Sequence, residues 1–198
     1  YPGEDIFSIG SWGCNFACAF CQNWTISQQG VAGGRAFTPR QVVDRASASG
    51  GIGIAYTYNE PLVAYEFVSD CAVLAREAGL KNVLVTNGFV SPGPAADLLP
   101  LIDALNVDVK SMDDAFYVKQ CRGHVKPVLE LAEQAAACGC HVEITNLVIP
   151  GLNDETRLIE ALVEWIASAL GESTPLHLSA YHPQFKTDVA ATTLHQLG

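Results

Sequence analysis

Three cysteines fall within eight positions of the segment GCNFACAFCQN, at Cys14, Cys18 and Cys21. A structural zinc site wants four ligands, usually as two CxxC-like pairs. The other cysteines, Cys71, Cys121, Cys138 and Cys140, are scattered and offer no well-placed second pair, and Cys71 reads as part of the buried face of a helix. A cubane iron–sulfur cluster has four irons, so three thiolates hold three of them and leave the fourth open to a ligand the protein does not supply. On that reading three cysteines are a complete set. Gly13 allows close backbone approach, the short spacers let one loop wrap a small inorganic body, and nearby amides can hydrogen-bond the sulfurs.

The chain that must position this loop has 198 residues, about half of them hydrophobic, which suits one globular domain with a large core. Its apolar runs are far shorter than the roughly 20 residues that cross a bilayer, and no signal segment opens it. Twenty-one acids against 11 bases give a formal charge of −10, which repels phosphate backbones and anionic membranes; neither DNA, nor a large RNA, nor a membrane is expected as partner. Seven cysteines, an odd number in a chain too long for a secreted disulfide scaffold, point to reduced thiols and a cytoplasmic location. Tyr1 stands where a methionine would open a complete chain, and residues 192–198 read like a helix cut soon after it starts. The expectation is a single core domain over 1–198, trimmed at one or both ends.

Apolar β-rich runs at 5–9, 52–56, 82–86, 104–109, 141–148 and 176–180 alternate with helical patterns, with no linker or repeat between them. Thr38-Pro39-Arg40-Gln41 supplies an N-cap, a proline at the first helical position and a glutamine three residues after the cap, opening a helix that Gly50-Gly51 ends. Further helices are predicted over 61–78, 126–138 and 154–170. Repeated strand–helix units imply right-handed crossovers and a parallel sheet whose strands are buried on both faces. Periodicity leaves open whether that sheet is doubly wound or a curved partial barrel. In either case ligands sit at the carboxyl ends of the strands, where this chain places its cysteines, Thr57-Tyr58-Asn59-Glu60, Thr86-Asn87, Asp108 with Lys110, residues 146–154 and Tyr181-His182.

Cx3Cx2C with an aromatic residue before the third cysteine resembles the signature of the radical S-adenosylmethionine (SAM) enzymes. The likeness covers nearly the whole chain: CQNW, TYNEP, TNGF, DVK and VIPGLND recur in family order. Within the superfamily they resemble the activating enzymes of glycyl radical enzymes, such as the pyruvate formate-lyase activating enzymes, and the AmmeMemoRadiSam-system branch. The resemblance implies a partial (β/α)6 TIM-like barrel with a [4Fe–4S] cluster on Cys14, Cys18 and Cys21 and SAM chelating the open iron. Phe20 would lie against the adenine. Where the family has Gly-Gly-Glu-Pro at the amino group of SAM, this chain has Tyr58-Asn59-Glu60-Pro61, with Glu60 as the charged acceptor and Asn59 in place of a glycine. Lys110 and His182 match positions that hold the carboxylate, beside Asp108; Thr86 and Asn87 would face the ribose, and Val148, opening the 148–151 segment, the adenine. The implied chemistry is reductive cleavage of SAM to a 5′-deoxyadenosyl radical that abstracts hydrogen, with flavodoxin or ferredoxin as electron donor. A protein glycine, a peptide or a small metabolite would be the substrate, and no side chain is required as catalyst.

The chain departs from the activase pattern at Val85, where an aspartate helps bind a monovalent cation, and at Thr145, where an arginine is typical. No inserted ferredoxin-like segment is present, so one cluster is expected. Simpler readings stand beside these. Asn59 and Glu60 could cap the next helix, Lys110 could be a solvated surface lysine, and His182 a packed or exposed histidine. His124, His141 and His177 match no motif and read as structural, while Trp24 and Tyr58 could wall the cavity or pack the core. A structural metal module and a cluster-bearing electron carrier are the readings from other functional classes.

Overall fold

The computed structural model describes residues 3–30 and 34–197; Tyr1 and Gly198, on which the expectation of trimming partly rests, lie outside them. The six strands are β1 (Phe7–Ile9), β2 (Gly53–Tyr56), β3 (Lys81–Thr86), β4 (Ala104–Asp108), β5 (His141–Val148) and β6 (Leu176–Ala180). They form one parallel sheet in the order β1-β2-β3-β4-β5-β6. That order decides between the two architectures. A doubly wound sheet reverses direction at a switch point, whereas here every crossover steps the same way, as in a (β/α) barrel. Among the described residues β6 does not pair with β1, so the barrel is partial.

The helices are α1 (Pro39–Ser49), α2 (Tyr65–Glu77), α3 (Pro92–Leu98), α4 (Asp114–Phe116), α5 (Val125–Ala137) and α6 (Thr156–Trp165). At α1 the local signals are obeyed: Thr38 and Gln41 form the capping box, and Gly50 ends the helix in a left-handed conformation. The expected helix over 61–78 is instead a 3-10 turn, Pro61–Ala64, followed by α2. Glu60 caps this turn through Leu62 N while the same carboxylate is tied to the end of β3, which holds the first turn tight. The helix expected over 154–170 changes to π geometry at Ile166–Leu170, and the chain near its end makes one 3-10 turn, Leu194–Gln196. Sequence reading missed α3, whose Ser91-Pro92 start is followed by Gly93 and Pro94, and α4 with the π-turn Tyr117–Cys121 that continues it.

The expectation of strands buried on both faces holds only for β2. In β5 alternate residues differ: Val142, Ile144, Asn146 and Val148 are buried beneath the helices, while His141, Glu143, Thr145 and Leu147 face the less enclosed interior of the barrel. At the open edge β6 is more exposed still. The core lies between sheet and helices, where Ile54, Leu84, Leu105 and Ile144 meet Ala72, Ala75, Val128, Leu131 and Ala132; each large aliphatic side chain buried there contributes about 1.5–3 kcal/mol. Asn82, fully buried, accepts from Tyr56 Oη and donates to Ala72 O and Leu101 O, each at 3.0 Å. Gly53 is required by contact, since a Cβ there would come within 2.0 Å of Lys81 O on the adjacent strand.

Candidate functional site

The loop after β1 turns at Gly13, whose φ of +92° favours glycine. The loop runs outside the sheet, so its backbone groups need partners elsewhere. Gly13 N donates to Ile26 O (2.9 Å), Ala17 N to Cys121 O (2.8 Å) and Ala19 N to Gln120 O (2.9 Å), while Ala19 O accepts from Lys186 N (2.9 Å). Phe16 O accepts from Gln28 Nε2 at 2.9 Å. The Phe16 ring packs 4.9 Å from that of Phe89 and 5.7 Å from that of Tyr117, against Gly123, where a Cβ would lie 2.2 Å from the ring. Beyond the loop, Trp24 stacks on Phe185 at 5.2 Å.

Burial pushes the Cys14 thiol up to about 11, partly offset by Phe16 N donating to its Sγ at 3.4 Å. Cys21 is raised chiefly by burial as well, with Ser27 pulling the other way. Cys18 differs because the buried thiol of Cys121 hydrogen-bonds to it, which lowers Cys18 and raises Cys121. Of that pair Cys18 gives up its proton first. Sequence reading left Cys121 among the scattered cysteines, and nothing local marks it; 103 positions separate it from Cys18. All seven cysteines are free of disulfides.

Across from the thiols, Tyr58 takes a φ of +74°, a left-handed conformation uncommon for a non-glycine residue, and its carbonyl accepts from Asn23 Nδ2. The amide of Asn59 is committed to the cysteine loop: Oδ1 accepts from Ser11 N (2.8 Å), and Nδ2 donates to Ser11 Oγ (3.0 Å) and Gly13 O (2.9 Å). Glu60 is buried, its Oε1 accepting from Leu62 N (3.0 Å) and Thr86 Oγ1 (2.8 Å) and its Oε2 from Asn87 N (2.7 Å). The helix-cap reading of Glu60 is therefore true as far as it goes. Burial nevertheless dominates and raises its carboxyl to about 7. Asn87 Nδ2 reaches Asn15 Oδ1 at 2.8 Å and Cys14 Sγ at 3.5 Å. Lys110 is not a solvated lysine: it pairs with Asp108 at 3.2 Å with its side chain 15% exposed. Burial works to lower its value, but Asp108, the Cys18 and Cys121 thiols and Tyr117 outweigh it and keep the ammonium protonated.

These groups meet in one cavity of about 320 Å³ at the carboxyl ends of the strands. Cys14, Cys18, Cys21 and Phe20 line one side; Asn59, Glu60, Thr86, Asn87, Asp108 and Lys110 line the rest. Val85 and Thr145 also border it, so the wall is uncharged at both positions where the activase pattern has an ionic residue. Two expected contacts stand apart. Val148 points away beneath the helices, its carbonyl accepting from Thr192 Oγ1, and Leu147, one residue earlier, lines the cavity instead. His182 is exposed and borders no part of the cavity, where β6 contributes Ser179. Alternation along β5 from Thr145 could have identified Leu147; no sequence signal marked Ser179. His124 pairs with Asp114, and His141 and His177 both pair with Glu143, all away from the cavity.

Among the described residues, no three or more His, Cys, Asp or Glu side chains are gathered closely enough to grip a single metal ion. The three thiols instead border a shared space, with an amide N–H and the Asn87 side chain directed at Cys14 Sγ. That donor set suits a multi-iron cluster, which takes thiolates at its corners and hydrogen bonds at its sulfurs. No helix among the described residues is long and apolar enough to cross a membrane.

A family model described as the Radical SAM superfamily matches residues 9–163. An uncharacterised protein of Methanocaldococcus jannaschii is 42% identical over 200 residues, covering 100% of this chain and 59% of its own length. The pyruvate formate-lyase 1-activating enzyme of Escherichia coli is 28% identical over 182 residues, 86% of this chain and 71% of the enzyme. Among solved structures, Streptococcus suis SuiB superposes with a TM-score of 0.73 at 13% identity, covering 98% of this chain and 44% of that one. The chain thus spans about three fifths of the length of the Methanocaldococcus jannaschii relative and less than half of SuiB.

Proposed function

The chain belongs to the Radical SAM superfamily, and from that premise we propose that it generates a radical for hydrogen abstraction, with a protein glycine as target, as its resemblance to activating enzymes suggests. Bound together, a [4Fe–4S] cluster and SAM, the cofactors of this family, supply reductive cleavage of the sulfonium to methionine and a 5′-deoxyadenosyl radical that takes a hydrogen atom from the substrate. Cys14, Cys18 and Cys21 would hold three irons, with Cys18 the most readily deprotonated of the three. Glu60, a buried carboxylate whose Oε2 carries a single hydrogen bond, is suited to an ammonium. Lys110, held protonated by Asp108, is suited to a carboxylate. Phe20 and Leu147 supply apolar wall that excludes water. The reduced thiols this requires fit the cytoplasm.

The observation that carries the reading is the meeting of three thiols with Glu60 and the Asp108–Lys110 pair in one cavity at the strand ends. The test is anaerobic reconstitution with iron and sulfide, followed by dithionite and SAM, and quantitation of 5′-deoxyadenosine. An intact cluster that yields none sinks the radical chemistry. A yield of 5′-deoxyadenosine without an electron paramagnetic resonance doublet on a candidate glycyl radical enzyme removes the protein glycine and leaves a peptide or small metabolite.

A further inference from the structure

Acidic residues are unevenly spread. The chain carries 21 of them, yet none falls between residues 6 and 43 or between 115 and 129, while Lys119, Arg122 and Lys126 lie in the second gap. The fold brings these two acid-free segments together: Ala17 N donates to Cys121 O and Ala19 N to Gln120 O, and Lys186 N bonds Ala19 O from the far end of the chain. The resulting surface exposes Lys119, Arg122 and Lys186 around Val118, itself 51% exposed. Among the described residues none of those three cations has an acidic partner within 4 Å. The carboxylates that precede Lys119 and Arg122 are already engaged, Asp113 capping Ala115 N and Asp114 on His124 and Val125 N, and Asp188, two residues from Lys186, forms no ion pair with it. Lys186 sits 4.8 Å over the Phe185 ring that stacks on Trp24, so one of the cations is held in place.

This surface lies behind Cys18, off the cavity. Cys121, which borders no part of the cavity, carries the path inward: its backbone precedes Arg122, and the bonds from Ala17 N to Cys121 O and from Ala19 N to Gln120 O lay it against the loop segment that holds Cys18. The basic surface therefore lies on the segment that pairs directly with the backbone on either side of an expected cluster ligand.

Resting on the radical reading, we propose that the surface of Val118, Lys119, Arg122 and Lys186 docks an acidic one-electron carrier protein that reduces the cluster through Cys121 and Cys18. The step transfers one electron: the reduced carrier is oxidised by one, the cluster is reduced by one, and no bond forms or breaks. A chain of net charge −10 repels an acidic protein over most of its surface, so a local basic patch both attracts the carrier and orients it. Electron-transfer encounters are small and transient, and a patch of three cations around one apolar residue is of that kind.

Reduced flavodoxin serves as the probe, with two readouts: the second-order rate of cluster reduction by stopped-flow absorbance, and binding of flavodoxin to the metal-free chain by titration. Combined K119E, R122E and K186E substitutions should slow reduction on the order of 10-fold or more at low salt and weaken binding in parallel, the difference disappearing in concentrated salt. Arg157→Glu, on α6, changes the net charge by the same amount per site and should leave both unchanged. Equal slowing by Arg157→Glu, or flavodoxin rates and binding unaffected by the triple reversal, overturns the docking surface, as does a reversal that abolishes only oligonucleotide binding. Reduction by photoreduced deazariboflavin separates this from the premise: a protein that assembles no reducible cluster fails the radical reading, whereas one reduced normally by deazariboflavin isolates the fault to docking.

Discussion

Asn59 stands where the family has a glycine, and its side chain joins the end of β2 to the cysteine loop rather than lying free in the cavity. Asn59→Ala removes the acceptor of Ser11 N at 2.8 Å and the donor to Ser11 Oγ at 3.0 Å and Gly13 O at 2.9 Å. Each such bond contributes roughly 1 kcal/mol net, and stranding half-buried backbone groups costs more, so the loss should be about 2–3 kcal/mol. In a domain of this size that lowers the melting temperature by roughly 5–10 °C. Asn59→Asp sharpens the argument: it keeps an acceptor for Ser11 N but turns a carboxylate toward Gly13 O and Glu60 O, and should be no better than alanine. Thermal unfolding of the metal-free chain measures both variants, and the rate of iron release to a chelator from reconstituted protein should rise with the same ranking. A melting temperature for Asn59→Ala within about 1 °C of the parent, or parental stability in Asn59→Asp, would show that the amide does not hold the loop.

Substituting Cys14, Cys18 or Cys21 by alanine should abolish cluster assembly, whereas Cys71→Ala, Cys121→Ala and Cys140→Ala should retain full iron and sulfide content; loss of iron in any of the latter three would break the three-thiolate assignment. The Glu60 carboxyl, raised by burial from 4.5 to about 7, favours the protonated folded state, so its contribution is complete below pH 4.5 and is lost as pH rises through about 7. That window corresponds to on the order of 3 kcal/mol; urea unfolding at pH 5 and pH 8 should show the decline in the metal-free parent and not in Glu60→Gln, and equal pH slopes would contradict it. Gly53→Ala forces a methyl group onto Lys81 O, which is strand backbone and cannot swing aside; little folded protein is expected on size-exclusion chromatography, and a stable monomer would contradict the close approach.

Much of the fold was legible because strands and caps are written over a few neighbouring residues. The runs at 141–148 and 176–180 match β5 and β6, and Thr38-Pro39-Arg40-Gln41 announces α1 through bonds that span only three positions. The misses share a cause. The continuous helix over 61–78 was interrupted because Glu60 bonds Thr86 and Asn87, residues from another unit of the chain. The motif points to Val148 where the cavity has Leu147, because a motif locates a segment, whereas the face a residue presents depends on strand parity against the sheet.

By itself the sequence determined which chemistry is on offer: three closely spaced thiols, a carboxylate before a proline, a lysine two residues after an aspartate, and an acid-poor stretch around the cysteines. Those features are local, and covalent spacing alone holds them. Only the tertiary structure decided that the strands step in one direction, that Asn59 is spent on the loop, that His182 lies outside the cavity and that Cys121 stands against Cys18. Each of these depends on register and packing between residues far apart in the chain, where periodicity carries no information and the burial of one shared core fixes the answer.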